Sequence, residues 1–298
     1  MRITRTFAET REVSSGVVGL VPTMGFLHEG HLSLIEAARK ESDTVVMSLF
    51  VNPLQFDRDD DLARYPRDLE RDVELAGVAG ADVVFAPEVV EMYPDEQLTR
   101  VTVTRLSDEL EGPNRPGHFE GVATVVAKLF AGIRPQAAYF GRKDAQQLAI
   151  VRRMASDLSM PTTVVGAPIV READGLALSS RNIFLSPQDR AAALQLSRGL
   201  MSAADLVEAG ERDASAIVDA VYAEIEKGPD MEYVALAGQD LVQPLTTLDR
   251  PAFLALAAWS GKTRLIDNVH FDAGGGGFVA DRGTRLGNTS VLYVTGEG

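Results

Sequence analysis

Residues 44–51 read TVVMSLFV, a run of β-branched and apolar residues with no alternation of apolar and polar positions. A strand with one wet face alternates. A continuous run belongs in a strand covered on both faces, as in a parallel sheet flanked by helices. Residues 17–21, 82–86 (DVVFA), 137–140 and 162–165 have the same character. Between them lie segments with helical periodicity. In 31–41 the apolar positions Leu32, Ile35 and Ala38 recur at spacings of three, and in 145–158 Leu148, Val151 and Leu158 share a face. Residues 69–79 and 121–133 also read as helices. The β-α-β-α-β alternation predicts an α/β fold with a doubly wound parallel sheet. Residues 100–106 alternate and predict a short antiparallel strand.

The character of the chain changes near residue 169. Pro168 and Gly175 interrupt regular structure, so a first domain is expected over 1–169 and a second over 170–298. In the second, Ser186-Pro187-Gln188-Asp189 reads as a helix start, with Ser at the cap, Pro in the first turn and an acid three residues on. Helices are predicted to about residue 209 and over 214–227. Strands are predicted over 231–237, 252–259 and 264–267. This makes a smaller α+β domain. Four glycines at 274–277 suggest a flexible tail from about 273, with 291–294 as a candidate edge strand.

Composition removes several classes of function. A formal charge of -14 argues against a general nucleic-acid binder, which needs a basic footprint. With no cysteine, disulfides, thiolate catalysis and Cys-type zinc sites are excluded. No apolar run approaches the ~20 residues of a membrane span. The N-terminal MRITR lacks the apolar core of a signal peptide, so a cytoplasmic location is expected.

The chemistry concentrates at strand ends. Residues 21–31, VPTMGFLHEGH, form a strand–loop–helix corner. Gly25 and Gly30 permit close backbone approach to a ligand. A helix beginning at Gly30 or His31 would present backbone N–H groups, a natural anion site. His28 and His31 stand three residues apart and can face one point. They could be structural, could hold a metal, or could stabilise charge on a phosphate. The metal reading lacks the zincin spacing of four. Asn52-Pro53-Leu54-Gln55-Phe56 follows the strand 44–51, where ligands of α/β sheets bind. The segment 111–119 is a Gly/Pro loop that serves equally well as a connector or as a functional loop. Gly141-Arg142-Lys143-Asp144 ends another strand, and Leu178-Ser179-Ser180-Arg181 sits on a loop past Gly175.

The H-x-G-H pattern at 28–31, after a strand and at a helix start, is similar to the signature of the HIGH-motif nucleotidyltransferases. The resemblance extends further. PTMGFLHEGH (22–31), FVNPLQF (50–56), RPGHFEGV (115–122), FGRKDAQQL (140–148) and DGLALSSRN (174–182) occur together and in the order found in the pantothenate synthetase (pantoate–β-alanine ligase) family. The chain resembles that family over residues ~15 to 270. The resemblance implies a Rossmann-type N-terminal domain, a C-terminal domain closing over the site, and a homodimer built through the N-terminal domain. It implies ATP with Mg2+ and a pantoyl adenylate that β-alanine converts to pantothenate, with release of AMP and pyrophosphate.

Carried over by motif, the ATP-binding residues are Met24, Gly25, Phe26, Leu27, His28, Glu29, Gly30 and His31, then Gly141, Arg142, Lys143 and Asp144, then Val170, Leu178, Ser179, Ser180 and Arg181. His31 falls on the family's general acid or charge stabiliser. His28, Lys143, Ser179, Ser180 and Arg181 are the other candidate catalytic groups. Gln55 and Gln147 fall on pantoate-binding positions, with Asn52 at the same strand end, and Gln55 also neighbours the β-alanine site. Magnesium is expected mainly on phosphate oxygens, with Asp72 or the acids of 57–61 as protein ligands; the plainer reading of both is an acidic helix face. The residue before Lys143 is typically glutamate in the family and is Arg142 here. Two other functions compete: a HIGH-type adenylyltransferase acting on a phosphate ester, and an ATP-binding protein without turnover. The paired glutamines disfavour the first, and an intact set of His28, His31, Lys143 and Arg181 the second.

Overall fold

A computed structural model of the chain describes residues 1–56, 62, 63, 65–226 and 228–293. Two compact units emerge: Met1–Gly141 with Gln147–Ala167, and Arg142–Gln146 with Pro168–Gly298. The short segment 142–146 thus groups with the second unit, although it lies well before residue 169. Among the described residues no helix is long and apolar enough to cross a membrane.

Unit 1 is a six-stranded sheet in the order β1-β4-β3-β2-β5-β6. Its strands are β1 (Arg2–Thr4), β2 (Val18–Thr23), β3 (Thr44–Leu49), β4 (Val83–Phe85), β5 (Ala137–Gly141) and β6 (Thr163–Ala167). Every pairing is parallel, as the continuous apolar runs predict. The strand order reverses between β2 and β5, and ligands of such sheets bind at the carboxyl ends beside that reversal. The helices are α1 (Phe7–Val13), α2 (Glu29–Glu41), α3 (Leu69–Ala79), α4 (Val89–Met92), α5 (His118–Ile133) and α6 (Ala145–Asp157). Leu34, Ile35 and Ala38 of α2 are buried with Val21, Val45, Met47 and Tyr139 in one apolar cluster. Asp68 caps α3 by accepting from the Arg71 N–H at 3.1 Å, and Gly80 ends that helix at φ 103°.

Two expectations fail in this unit. The segment before residue 17 carries β1 and α1, for which no element is expected. Its signal is a capping box: Thr6 accepts from the Glu9 N–H, and Glu9 accepts from the Thr6 N–H. Conversely, residues 100–106 form no strand. They lie along α5, where the Val101 N–H donates to Thr124 Oγ1 at 3.0 Å and Thr102 Oγ1 to Glu120 at 2.8 Å. Alternation without a partner edge does not make a strand.

Unit 2 contains β7 (Val170–Arg171), α7 (Pro187–Glu208), α8 (Ala214–Ala223), β8 (Asp230–Gly238), β9 (Ala252–Ser260), β10 (Thr263–Gly274), β11 (Gly277–Asp281) and β12 (Thr284–Arg285). Ser186 caps α7 as predicted, accepting from the Asp189 N–H at 3.1 Å. β8 to β11 form an antiparallel meander, and β12 pairs with β7 in parallel. Leu196, Leu200, Val207, Ile217, Leu254 and Leu256 form the core beneath it. At its centre Arg171, 2 % exposed, satisfies all five of its donors. It grips Asp267 through two bonds of 2.7 and 3.0 Å and donates to the carbonyls of Gly175, Asn268 and Arg282.

The expected flexible tail is overturned. Gly275 (φ 58°) and Gly276 (φ 82°) make a two-residue hairpin turn between β10 and β11, with Gly274 opposite Gly277. Positive φ at both positions matches the right-handed twist of a hairpin, so the glycines serve the turn and not a linker. Val291–Tyr293 is one turn of 3-10 helix and not an edge strand.

Candidate active site

The corner after β2 is held from behind. Thr23 Oγ1 donates to the Ser48 carbonyl at 2.7 Å, tying β2 to β3. The chain then turns through Gly25 (φ 92°) and Phe26 (φ 54°). A Cβ on Gly25 would come within 2.9 Å of Asp72 Oδ2. Asp72, buried on α3, accepts the N–H groups of Phe26 and Leu27, one on each oxygen at 2.7 Å. Burial pushes its pKa up, against the pull of the Leu27 and Phe26 N–H groups and Arg71. Arg71 donates to the Leu27 carbonyl at 3.1 Å and lies over the Phe26 ring. This corrects the expectation of a solvated helix face for Asp72: the side chain is buried, and each oxygen accepts a peptide N–H of the loop. The alternative acids of 57–61 lie outside the described residues.

Helix α2 begins at Glu29, one residue before the expected start, with His28 as its cap. His28 Nδ1 accepts the Gly30 N–H at 3.1 Å, and His31 Nδ1 faces the His28 N–H at 3.4 Å. One of the helix-start donors expected for an anion is therefore taken by His28. An imidazole that accepts at Nδ1 carries its neutral-form proton on Nε2. The neutral form of each ring then carries its proton on Nε2, and the ring centroids lie 4.1 Å apart. Gly30 makes this possible, since a Cβ there would lie 2.9 Å from the His28 ring.

The end of β3 carries a buried amide network. Asn52 Nδ2 donates to Gln55 Oε1 at 3.0 Å and to the Gly121 carbonyl at 3.1 Å, while Tyr93 donates to Asn52 Oδ1 at 2.8 Å. Asn52 is wholly buried, so it acts on a ligand through Gln55. Its bond claims the oxygen of the Gln55 amide and leaves the NH2 to donate. His118 donates from Nδ1 to the Gln55 carbonyl at 2.9 Å. A Cβ on Gly121 would sit 2.1 Å from the Leu54 carbonyl, so only glycine lets α5 approach the 53–55 turn this closely. The 111–119 loop leads into that helix. His118, Gly121 and Tyr93 are not among the site residues expected from the motifs, although the first two lie within RPGHFEGV.

The end of β5 supplies Gly141, and Gln147 sits half-buried in the first turn of α6. Met24–His31, Gln55, Gly141 and Gln147 thus gather at the carboxyl ends of the neighbouring strands β3, β2 and β5.

Unit 2 holds the remaining candidates. Asn268 Nδ2 donates to the carbonyls of Arg142 (3.1 Å) and Lys143 (2.7 Å), and His270 Nε2 donates to that of Arg142 (3.2 Å). The turn bearing Lys143 is thereby seated on β10. Lys143 Nζ lies 4.0 Å from Asp144. The guanidinium of Arg142 pairs with Asp272 at 2.6 Å and Asp281 at 3.0 Å. Arg142, expected among the ATP ligands, is tied by these pairs to the β10–β11 hairpin. For Asp272, burial raises the pKa, but the bonds from Arg142 and Gln239 outweigh it and hold it low.

From Val170 the chain doubles back, with the Leu178 N–H donating to the Val170 carbonyl at 2.9 Å. Leu178 buries its side chain, Ser179 and Ser180 are half-buried, and Arg181 is exposed. Buried Asn182 fastens this loop to Glu172 (2.7 Å) and to the Ala177 carbonyl (3.0 Å).

Comparison with known proteins shows the family. Residues 2–270 match the sequence model of the pantoate-beta-alanine ligase family. The chain is 56 % identical over 254 residues to the pantothenate synthetase of Heliobacterium modesticaldum, covering 85 % of this chain and 90 % of that one. The crystal structure of pantothenate synthetase from Thermus thermophilus superposes with a TM-score of 0.85 at 48 % identity, covering 90 % of this chain and 98 % of that one. The pantoate-beta-alanine ligase of Francisella tularensis, solved with beta-gamma ATP and beta-alanine, does so with a TM-score of 0.72 at 32 % identity, covering 90 % and 97 %. The chain belongs to the pantoate–β-alanine ligase family.

Proposed function

We propose that the chain condenses pantoate with β-alanine using ATP, and that the residues gathered above divide the work as follows. A pantoate carboxylate oxygen attacks the α-phosphorus. The bond to the bridging oxygen breaks, pyrophosphate leaves, and pantoyl adenylate forms. The amine of β-alanine then attacks the acyl carbonyl. AMP leaves with the electron pair of the broken C–O bond, and the nitrogen gives up its proton.

The observation that carries this reading is the histidine corner. Two imidazoles whose Nδ1 atoms are occupied by the start of α2 offer Nε2–H groups to charge building on phosphate. Gln55, its oxygen claimed by Asn52, donates to the pantoate acid, and Gln147 assists. A neutral amide orients a carboxylate without the full ion pair that would blunt its nucleophilicity. Lys143 is a compact cation for the phosphate oxygens. Arg181 provides a planar fork for the β/γ-phosphates, with Ser179 and Ser180 as hydroxyl donors. An adenylate is preserved when water is kept from it.

Among the described residues no three His, Asp or Glu side chains converge on one point. That donor set suits a Mg2+ ion carried on ATP, which keeps most of its ligands as phosphate and water. Bound there, the ion would neutralise phosphate charge. Assembly as a homodimer through unit 1, and a cytoplasmic location, rest on the family resemblance and the composition.

Labelled pyrophosphate should exchange into ATP with pantoate present and β-alanine absent. Lys143→Ala and His31→Ala should each lower that exchange by roughly 10²–10³-fold, the scale of one preorganised donor, while leaving the fold intact. Exchange that requires β-alanine would replace the free adenylate with a concerted route.

A further inference from the structure

The family model ends at residue 270, yet the described chain runs on to Tyr293 and is folded against unit 2. Three ties connect residues beyond 270 to the loops that carry the ATP candidates of this unit. The first is at the Lys143 turn. Asp272 and Asp281, across the β10–β11 hairpin, both hold Arg142, whose own carbonyl is held by Asn268 and His270. The second is a strand pairing. β12 lies along β7, with the Thr284 N–H donating to the Ile169 carbonyl at 2.7 Å and the Leu286 N–H to that of Arg171 at 2.8 Å. A Cβ on Gly283 would sit 2.3 Å from the Ile169 carbonyl, so glycine is required for this approach.

The third tie is at the serine loop. Tyr293 donates its hydroxyl to Glu172 Oε1 at 2.9 Å and accepts from Arg190 Nη1 at 2.9 Å. Glu172 Oε1 also accepts from Asn182 Nδ2, and Arg190 bonds Glu172 and Asp174. Asn182 follows Arg181 directly. Hence one phenol hydroxyl completes the carboxylate that fastens the end of the 178–181 loop.

We propose that the segment beyond residue 270 is a brace for ATP binding, with Tyr293 as a positioning residue for the Ser179–Arg181 loop and Asp281 as one for the Lys143 turn. The segment touches no reacting atom in this assignment. It narrows the arrangements of two loops whose donors must meet a triphosphate together, so that binding need not order them. The proposal rests on the reading that Lys143 and Arg181 hold ATP.

The test is steady-state kinetics on the full chain with Tyr293→Phe, Asp281→Asn and, as a control on the underlying reading, Arg181→Ala. Tyr293→Phe removes one oxygen and keeps the ring. It should raise KM for ATP by about 3- to 10-fold, the scale of one ordinary hydrogen bond. KM for β-alanine, kcat at saturating ATP and Tm should stay near wild type. Asp281→Asn should act in the same direction. If Arg181→Ala raises KM for ATP but Tyr293→Phe and Asp281→Asn do not, the brace is wrong and the ATP assignment stands. A uniform rise in all three substrate KM values with a lowered Tm would make the segment merely structural and also overturn the proposal. An Arg181→Ala enzyme with unchanged KM for ATP would remove the ATP assignment, and the brace with it.

Discussion

Asn52 donates its side-chain N–H to Gln55 Oε1 at 3.0 Å, and this bond decides which end of the Gln55 amide is available for chemistry. The oxygen is occupied, and the NH2 is the donor that meets an anionic substrate. Asn52 is itself held by Tyr93 and by the Gly121 carbonyl, so the orientation of Gln55 is set three residues and one helix away from it.

Gln55→Glu tests this polarity. The carboxylate still accepts from Asn52, so the network and the fold should persist. The donor becomes a negative charge facing a negative substrate, and like charges at close range cost several kcal/mol. Pantoate-dependent pyrophosphate exchange should fall by on the order of 10²-fold or more, through a higher KM for pantoate. Unchanged exchange would mean that Gln55 presents its oxygen, or nothing, to pantoate.

Truncation after Asp272 should unfold or strongly weaken unit 2. It removes β11 and β12, the Asp281–Arg142 pair and the Tyr293 bonds. Losing a paired strand and several buried bonds amounts to on the order of 5 kcal/mol, or a fall in Tm of about 10–20 °C. A thermal melt of the truncated chain decides the matter, and a Tm within a few degrees of the full chain would return the segment to the status of a loose tail.

His270 gives unit 2 a pH dependence. Burial pulls its pKa down to about 4, against its bond to the Arg142 carbonyl and the nearby Asp272 and Asp281. The unfolded chain takes up the proton near 6.5, so the native state binds fewer protons between these values. Stability is therefore complete above about pH 6.5 and declines as pH falls toward 4, by about 3 kcal/mol for this group. His270→Gln keeps a donor for Arg142 and cannot titrate. Denaturant melts at pH 7 and pH 4.5 should show a smaller loss for the variant than for wild type; equal losses would place the titration elsewhere.

The parallel sheet of unit 1 was legible because its information is local. Runs such as 44–51 hide both faces, and the helical periods between them permit few other folds. The same holds for the Ser186 cap and for the motif positions at strand ends. Glycine in these motifs carries local information too: Gly25 and Gly30 announce a tight corner. The four glycines at 274–277 announce a turn as readily as a linker. Only the pairing of β10 with β11 separates those meanings, because a turn is defined by what its flanks pair with.

Tertiary structure alone decided the roles that depend on a partner distant in sequence. Asp72 reads as a surface acid until its carboxylate is found on the N–H groups of Phe26 and Leu27. Arg142 gives no sign in the sequence of the ion pairs it makes with Asp272 and Asp281. Gly121 reads only as the start of a helix until the Leu54 carbonyl appears where its Cβ would stand. The sequence by itself determined which groups this chain can bring to a phosphate and a carboxylate, since residue type sets charge and donor inventory. The fold decided which of those groups remain available to a ligand and which are committed to holding others, because a hydrogen bond made inside the protein uses the same atom a substrate would need.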